Sequence, residues 1–580
     1  MTANIVSYSN KDVATVFDAI ADLLEIDDAN PFRVRAYRNA SRTMENLDDE
    51  ALSMIEQGRD LTEVPGIGKE LAAKIETIVA TGTVKALEEL QQKIPAGVVE
   101  MLRLPGLGPK KVKTLYQDLG VTSLEQLDAA AAEGKVQALP GMGARTEEQI
   151  RKAVAARVAT GDRILRAEAT PTVERVLDVL KQAEPRAKLT VAGSYRRSRD
   201  TVGDLDILAV SKKPETLMDA FVAMDGVADV QAHGSTKSSV RLNAGLQVDL
   251  RVVARASFGA ALHYFTGSQA HNVAVRRRAQ KMGLKLNEYG LYRGEKQVAG
   301  ATEIDVFEAL ELTYVEPELR EDAGEIDQAE EGGLPKLVAQ KDIKGDLHAH
   351  STASDGRNSI REMATAAREQ GYTYLAMTDH SKRLTVANGL DEGRIEAQME
   401  EIDAINATLD DFTILKGIET DIMDDGSLDI SDDVLSRLDI VVASVHHRFK
   451  LSREEQTERV MRAMDNPYFN VLGHPTGRIL LEREPYEIDI PRIIAHAAER
   501  GCCLELNANP LRLDLHEKYC RQAMEQGVLI SVNTDAHSTQ QFDNMVHGIG
   551  QARRGWLEKK HVLNTRSLPQ LRKLFKAMRG

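Results

Sequence analysis

The chain has 580 residues, 42% of them hydrophobic, with a net charge of −15 and a single tryptophan. That length exceeds one hydrophobic core and predicts several domains, while no apolar run approaches the ~20 residues of a membrane span. Three cysteines, Cys502, Cys503 and Cys520, cannot build a disulfide framework; with no basic-then-apolar leader at the N-terminus, a cytoplasmic protein without membrane contact is expected.

The acidic total hides a division. Residues 151–300 hold 25 Lys+Arg against 15 Asp+Glu, whereas residues 351–550 hold 20 against 35. A basic middle is a footprint for phosphate backbones, and clustered acid in the second half suits a multi-metal site.

Residues 1–160 read as mostly helical with short glycine breaks. "NPFRVRAYRNASRTM" places Arg33, Arg35, Tyr37 and Arg38 close together. A repeat follows: "VPGIGKELAAKI", "LPGLGPKKVKTL" and "LPGMGARTEEQI". Each is a tight glycine turn before a helix, whose backbone N–H groups can meet a phosphate. The repeats resemble helix-hairpin-helix motifs, and that resemblance implies DNA backbone contacts at Gly66, Gly68, Gly106 and Gly108. The third copy is weakest, because Glu147 and Glu148 oppose an anion.

Residues 189–253 alternate strands and turns. In "TVGDLDILAV", Asp204 and Asp206 lie two apart and share a face. In "GLQVDLRVV", Gln247, Asp249 and Arg251 share another. If the two strands are neighbours, Asp204, Asp206 and Asp249 converge, and divalent cations would offset their repulsion. Two such ions would serve an attacking 3′ hydroxyl and a leaving pyrophosphate. "VAGSYRRSRD" upstream supplies Gly193, Ser194 and Arg197, which shifts the balance toward a nucleotidyltransferase. "YFTGSQAHNVAVRRR" follows.

The stretch 316–331, "EPELREDAGEIDQAEE", carries eight acids and one arginine, and reads as an exposed linker. Beyond it, seven short apolar runs alternate with helical segments, from "DIKGDLHAH" to "VLISVNTDAH". This is a barrel-like or doubly wound α/β pattern. Six of the runs lead into potential metal ligands: His348, His350 and Asp355, then His380, Glu419, His446, His474, and Asp535 with His537. Active sites of α/β barrels form at the C-terminal ends of strands. Nine N/O donors at one rim suffice for about three Zn²⁺ or Mn²⁺ ions. The basic C-terminal segment is expected to end in a helix.

The hairpins, the aspartate pair and "YFTGS" resemble the family X DNA polymerases, the DNA polymerase β type, over roughly residues 1–318. The resemblance implies triphosphate binding by Gly193, Ser194 and Arg197, with Gly203 before the aspartate pair. Tyr264, Phe265, Gly267 and Asn272 would flank the incoming sugar and base, and Arg276 the template. Asp204, Asp206 and Asp249 would be the catalytic carboxylates holding Mg²⁺ or Mn²⁺, with Asp249 helping to deprotonate the primer hydroxyl. Gln247 departs from the arginine at that place in mammalian relatives. Arg33, Arg35, Tyr37 and Arg38 would meet a gap's 5′ side. Lys74 matches a Schiff-base lysine of the family's 5′-deoxyribose phosphate (dRP) lyase site, which requires a depressed pKa; a phosphate contact is the equal alternative.

The histidine clusters of residues 341–580 resemble the PHP (polymerase and histidinol phosphatase) family, which implies a distorted (β/α)7 barrel with a trinuclear centre. Asp346 and Asp379 would orient imidazoles. Arg478 reads as a phosphate contact or a surface arginine, and His447 and His516 carry no role.

The expected fold is multidomain α/β and α+β. It divides into a DNA-end-binding helix-hairpin-helix domain (1–85), fingers with further hairpins (86–160), a nucleotidyltransferase palm (161–260), a thumb (261–318), an acidic linker (319–340) and a PHP barrel (341–580). Together the halves resemble the bacterial and archaeal PolX family: a monomeric gap-filling DNA polymerase acting on gapped or nicked DNA with dNTPs, joined to a 3′→5′ exonuclease or related 3′-end phosphoesterase, AP endonuclease included. Two alternatives stay open. The first half could serve RNA ends or small molecules, and the PHP half small phosphoesters or no chemistry at all.

Overall fold

The computed structural model describes residues 10–579 except 46, 48–50, 82, 103, 105, 161–162 and 244. It forms two compact units, residues 1–161 and 162–580.

The first unit is helical. Its helices Asn10–Ile26, Pro31–Glu45, Lys69–Thr81, Lys85–Lys93, Pro109–Leu119, Leu124–Ala132 and Ala144–Thr160 share one apolar core. The three glycine repeats adopt one turn. Gly66, Gly106 and Gly141 have φ of +90°, +81° and +76°, which glycine adopts without steric cost. The following Ile67, Leu107 and Met142 are buried, and each donates its N–H back to the residue three before it. Sequence spacing alone carried this prediction.

In the second unit, five strands form a sheet in the order Lys188–Val191, Asp204–Val210, Gln247–Val252, Lys237–Leu242, Val227–His233. The second and third run parallel, with Asp206 opposite Asp249 and Asp204 opposite Gln247, so Asp206 and Asp249 are neighbours across the two strands. Helices Phe258–Thr266, Gln269–Lys281 and Glu303–Ala309 and a three-stranded sheet follow.

Residues 316–331 are not an exposed linker. Pro317 and Leu319 are buried, Glu325–Glu331 is a helix with Ala329 buried, and Arg320 and Glu325 are fully buried. The acids have distant partners that local composition cannot reveal: Glu325 meets His271 at 2.7 Å, and Glu318 meets Arg553 at 2.7 Å.

The last part is a seven-stranded parallel sheet ordered as in the chain, Gly345–Asp346, Tyr374–Met377, Thr413–Asp421, Ile440–Ser444, Val471–Leu472, Cys503–Asn507 and Ile530–Asn533. A parallel bridge between Ala349 and Ala536 nearly closes it into a barrel. Tyr374, Ala376, Leu415, Val442 and Cys503 form one apolar cluster with Leu571 and Phe575 of the terminal helix Leu568–Met578. Among the described residues no helix is long and apolar enough to cross a membrane.

Candidate active sites

The sheet of five strands carries the first site. Asp204 is exposed and Asp206 half-buried, and a Cβ on Gly193 would stand 3.0 Å from Asp206 Oδ2. Burial, then the neighbouring charges of Asp204 and Asp249, push the Asp206 carboxyl up to about 7. A cation is the group that would relieve this cost.

Asp249 is different. Gln247 donates to its Oδ1 at 3.1 Å and Lys237 approaches its Oδ2 at 3.2 Å. Burial raises its pKa, but hydrogen bonds from Ser239, Gln247 and Lys237 prevail and hold it below the ordinary value. Gln247 and Lys237 together thus occupy both oxygens of the Asp249 carboxylate. Lys237 comes from the adjacent strand, across from Arg251, so reading along one strand missed it. The three carboxylates are not among the groups whose donor atoms lie within 4.8 Å of one another; among the described residues those groups all lie in the barrel.

Around these carboxylates, the Ser194 hydroxyl is buried without a hydrogen-bond partner. Arg197 donates Nε to Glu321 at 3.0 Å and Nη1 to the Thr266 carbonyl. A Cβ on Gly203 would lie 3.4 Å from Arg163. Asn272 Nδ2 holds the Tyr264 carbonyl at 2.7 Å, and Tyr264, Asn272 and Arg276 line one small cavity with Asn287. Phe265 packs edge-on to Tyr264 and lies under the Arg251 guanidinium, 4.4 Å from the ring centre. Gly267, with φ of +69°, brings the turn to within 3.0 Å of Arg197 by the same Cβ measure.

The barrel rim carries the second site. All nine expected ligands meet there. Glu419 is the hub: its Oε1 lies 2.9 Å from His474 Nε2 and 3.3 Å from His446 Nε2. Its Oε2 lies 2.8 Å from His380 Nδ1 and 3.3 Å from His348 Nε2. Asp535 Oδ1 lies 3.1 Å from His350 Nε2, and Asp355 Oδ1 lies 3.4 Å from His537 Nε2. Three overlapping groups draw their donor atoms within 4.8 Å: His350, Asp355, His380 and His537; His348, His350 and Asp535; His380, Glu419 and His446.

The donor set fits divalent cations. His348 Nε2, His350 Nδ1, His380 Nδ1, His446 Nδ1 and Glu419 Oε2 are buried without a well-directed hydrogen bond, which is costly unless another partner is bound. Imidazole with carboxylate is the chemistry of zinc and manganese sites. Burial alone would raise the Glu419 and Asp535 carboxyls, yet the surrounding histidines hold both well below their ordinary values.

The supports differ from expectation. Asp346 touches no imidazole; it accepts from the His348 and Thr534 backbone and the Thr534 hydroxyl. Asp379 ties Ser351, Ser354 and Gln398 together, shaping the loop that presents Asp355. The carboxylates on imidazoles are Glu505, 2.7 Å from His348 Nδ1, and Asp421, 3.4 Å from His446 Nδ1 and 3.3 Å from His447 Nδ1. Both lie on barrel strands in "CLELN" and "ETD", and their position near strand ends was the available signal. Arg478 is neither a surface group nor free for phosphate. It is buried, and its guanidinium holds the carbonyls of Arg512 and Leu513. His516 N-caps the helix Glu517–Glu525.

In the first unit, Gly66, Gly68, Gly106 and Gly108 sit at the turns before helices, and an added Cβ at Gly68, Gly106 or Gly108 would meet nothing within 4 Å. Glu147 turns inward and accepts the Gln137 N–H at 2.9 Å, and Glu148 pairs with Lys152 at 3.4 Å. Arg33 and Arg35 are exposed. Tyr37 is not available to DNA: it is 3% exposed and packs on Phe17. Arg38 is committed to Asp18 and Asp22. Burial would lower the Lys74 pKa, but its hydrogen bond to Glu70 prevails and raises it. The depressed lysine that a Schiff base needs is therefore not formed here.

Family models match along the chain. They describe a helix-hairpin-helix domain (8–84), a SAM-like helix-hairpin-helix tandem (98–156), a DNA polymerase beta palm (163–247), a DNA polymerase beta thumb (261–321) and a PHP domain (346–509). The chain is 40% identical over 98% of its length, and 99% of the relative's, to the DNA polymerase/3′-5′ exonuclease PolX of Bacillus subtilis. The chain belongs to the PolX family. Its PHP part is also 32% identical to a probable phosphatase of Thermoanaerobacter, over 38% of this chain and 89% of that protein. A probable phosphatase of Caldanaerobacter subterraneus is 33% identical over 33% of this chain and 75% of its own length. In this PolX-family chain the five-stranded sheet is thus the palm, the following helices and small sheet the thumb, and the barrel the PHP domain.

Proposed function

We propose that the chain fills short gaps in DNA with its palm and trims the 3′ end with its PHP barrel. The supporting observation is that one full-length relative bears both activities in its name while this chain assembles both sets of residues, Asp206 opposite Asp249 and nine donors around Glu419 and Asp535.

In the palm, Gly193, Ser194 and Arg197, beside Gly203, receive the triphosphate of a dNTP. Tyr264, Phe265, Gly267 and Asn272 bracket its sugar and base, and Arg276 faces the template. Asp249, kept ionised by its donors, accepts the proton of the primer 3′ hydroxyl. Bound divalent cations, Mg²⁺ or Mn²⁺ at the palm and about three Zn²⁺ or Mn²⁺ at the barrel, supply charge neutralisation and Lewis acidity. Asp204, Asp206 and Asp249 hold the first group; His348, His350, Asp355, His380, Glu419, His446, His474, Asp535 and His537 hold the second. In the barrel these residues orient a terminal phosphodiester. The hairpin turns and Arg33 grip the backbone of gapped or nicked DNA without reading its sequence. A monomer in the cytoplasm fits this reading.

The probable phosphatases support a second activity of the same barrel: removal of a 3′-phosphate, or cleavage of small phosphoesters. Gapped DNA carrying either a 3′ hydroxyl or a 3′ phosphate, incubated with dNTPs and Mn²⁺, tests both. Extension, nucleotide release and phosphate release are read separately; absence of extension on the hydroxyl substrate contradicts the polymerase reading.

A further inference from the structure

Arg197 is expected on the triphosphate, yet here it faces a carboxylate. Glu321 Oε1, at the end of the thumb, accepts from Arg197 Nε at 3.0 Å. The same oxygen accepts from Arg554 Nη1 at 2.9 Å. Arg554 ends the helix Met545–Arg554 of the PHP domain and is almost fully buried. Its Nη1 also reaches the Arg197 carbonyl at 3.1 Å, and its Nη2 donates to Glu517 at 2.7 Å. Arg199 stands 3.9 Å from Glu321 and 3.7 Å from Glu517. The backbones are close too: a Cβ on Gly550 of that helix would lie 3.0 Å from the Ser198 Cβ. Three arginines thus share two carboxylates across the seam of palm, thumb and barrel.

A triphosphate and Glu321 compete for the same guanidinium. If Arg197 leaves, Glu321 keeps a second cation, so its charge is not stranded. We propose that Glu321 is a counter-ion which the incoming triphosphate displaces from Arg197, and that Arg554, supplied by the PHP domain, is the positioning residue that retains Glu321 when this happens. The proposal rests on the triphosphate reading of Arg197. It makes the exonuclease domain part of the polymerase's nucleotide site, through contact and charge rather than shared chemistry.

The test is single-nucleotide gap filling by the full chain over a range of dNTP concentrations. Glu321→Gln frees Arg197 and should lower KM for dNTP by about three- to tenfold, the scale of one charged hydrogen bond partly open to solvent, with kcat within about twofold. Arg554→Gln leaves Glu321 to Arg197 and the more distant Arg199 and should raise KM by a similar factor; Arg554→Lys should recover part of it. The double variant should behave like Glu321→Gln. Exonuclease activity, read on the same preparations, should not change. A folding defect cannot produce the opposite signs. If both single variants raise KM, or neither moves it, the coupling is overturned. If Arg197→Ala leaves KM unchanged, the triphosphate reading itself fails, and the coupling with it.

Discussion

Glu505 holds His348: its Oε1 lies 2.7 Å from the imidazole Nδ1, while its Oε2 accepts the His474 N–H at 2.7 Å. One carboxylate thereby fixes the ring that reaches toward Glu419 and the backbone of a second ligand. Such supports typically contribute 10- to 100-fold in metal affinity. Glu505→Gln should weaken metal retention at the barrel by about that factor, and exonuclease activity should fall until excess Mn²⁺ is added. Metal content after dialysis checks the first claim. Gap filling should be unaffected.

The Lys74 ammonium is held by Glu70, with its pKa raised. At neutral pH, borohydride trapping on DNA with an abasic 5′ end should give little covalent adduct. Glu70→Gln removes the neighbour that holds the proton and should increase trapping several-fold. Strong trapping by the unaltered chain, lost in Lys74→Ala, would show that DNA binding rearranges this pair.

Glu303 in the thumb accepts from Arg196 at 2.6 Å and lies 2.6 Å from Arg320. Burial opposes its charge, but the two arginines hold its pKa down, from the ordinary 4.5 to about 2. A depressed carboxylate stabilises the fold above its unfolded pKa. That contribution is lost as pH falls from about 4.5 toward 2, and it amounts to at most about 3 kcal/mol. Trp556, the single tryptophan, sits in the apolar cluster of Val306 and Phe307, so its fluorescence reports on this core. Glu303→Gln should be less stable than the unaltered chain at pH 7, by up to that amount, and the gap should close on acidification. A gap that is constant between pH 7 and pH 3 would contradict the assignment.

Gly66 and Gly106 need positive φ. Replacing either with Val should cost about 1 kcal/mol or more in the stability of the first unit and weaken binding to gapped DNA. Gly68→Ala, where an added Cβ meets no protein atom, should spare stability and affect DNA binding alone. Thermal unfolding and a salt titration of DNA affinity separate the two effects.

What was legible in the sequence followed local periodicity. Alternation along one strand placed Asp204 with Asp206 and Gln247 with Asp249, and apolar runs followed by His or Asp placed the barrel ligands. Long-range partners were not legible. Lys237 reaches Asp249 from the neighbouring strand, and Glu505 reaches His348 across 157 residues of chain. The acids of 316–331 looked solvated because their arginines, Arg553 and Arg554, lie over 220 residues downstream. Tyr37 and Arg38 looked like a basic arm, but helical spacing turns Tyr37 onto Phe17 and Arg38 onto Asp18.

The palm and the barrel carry out two independent phosphoryl chemistries on one chain. The most direct measurement is a paired assay of Asp206→Asn and His348→Ala on one gapped, 3′-labelled DNA with Mn²⁺. Asp206→Asn should lose extension by at least about a thousandfold, the scale of a lost charge-stabilising group, and still release 3′ nucleotides; His348→Ala should do the reverse. Loss of both activities in either variant, or of neither, would contradict the account.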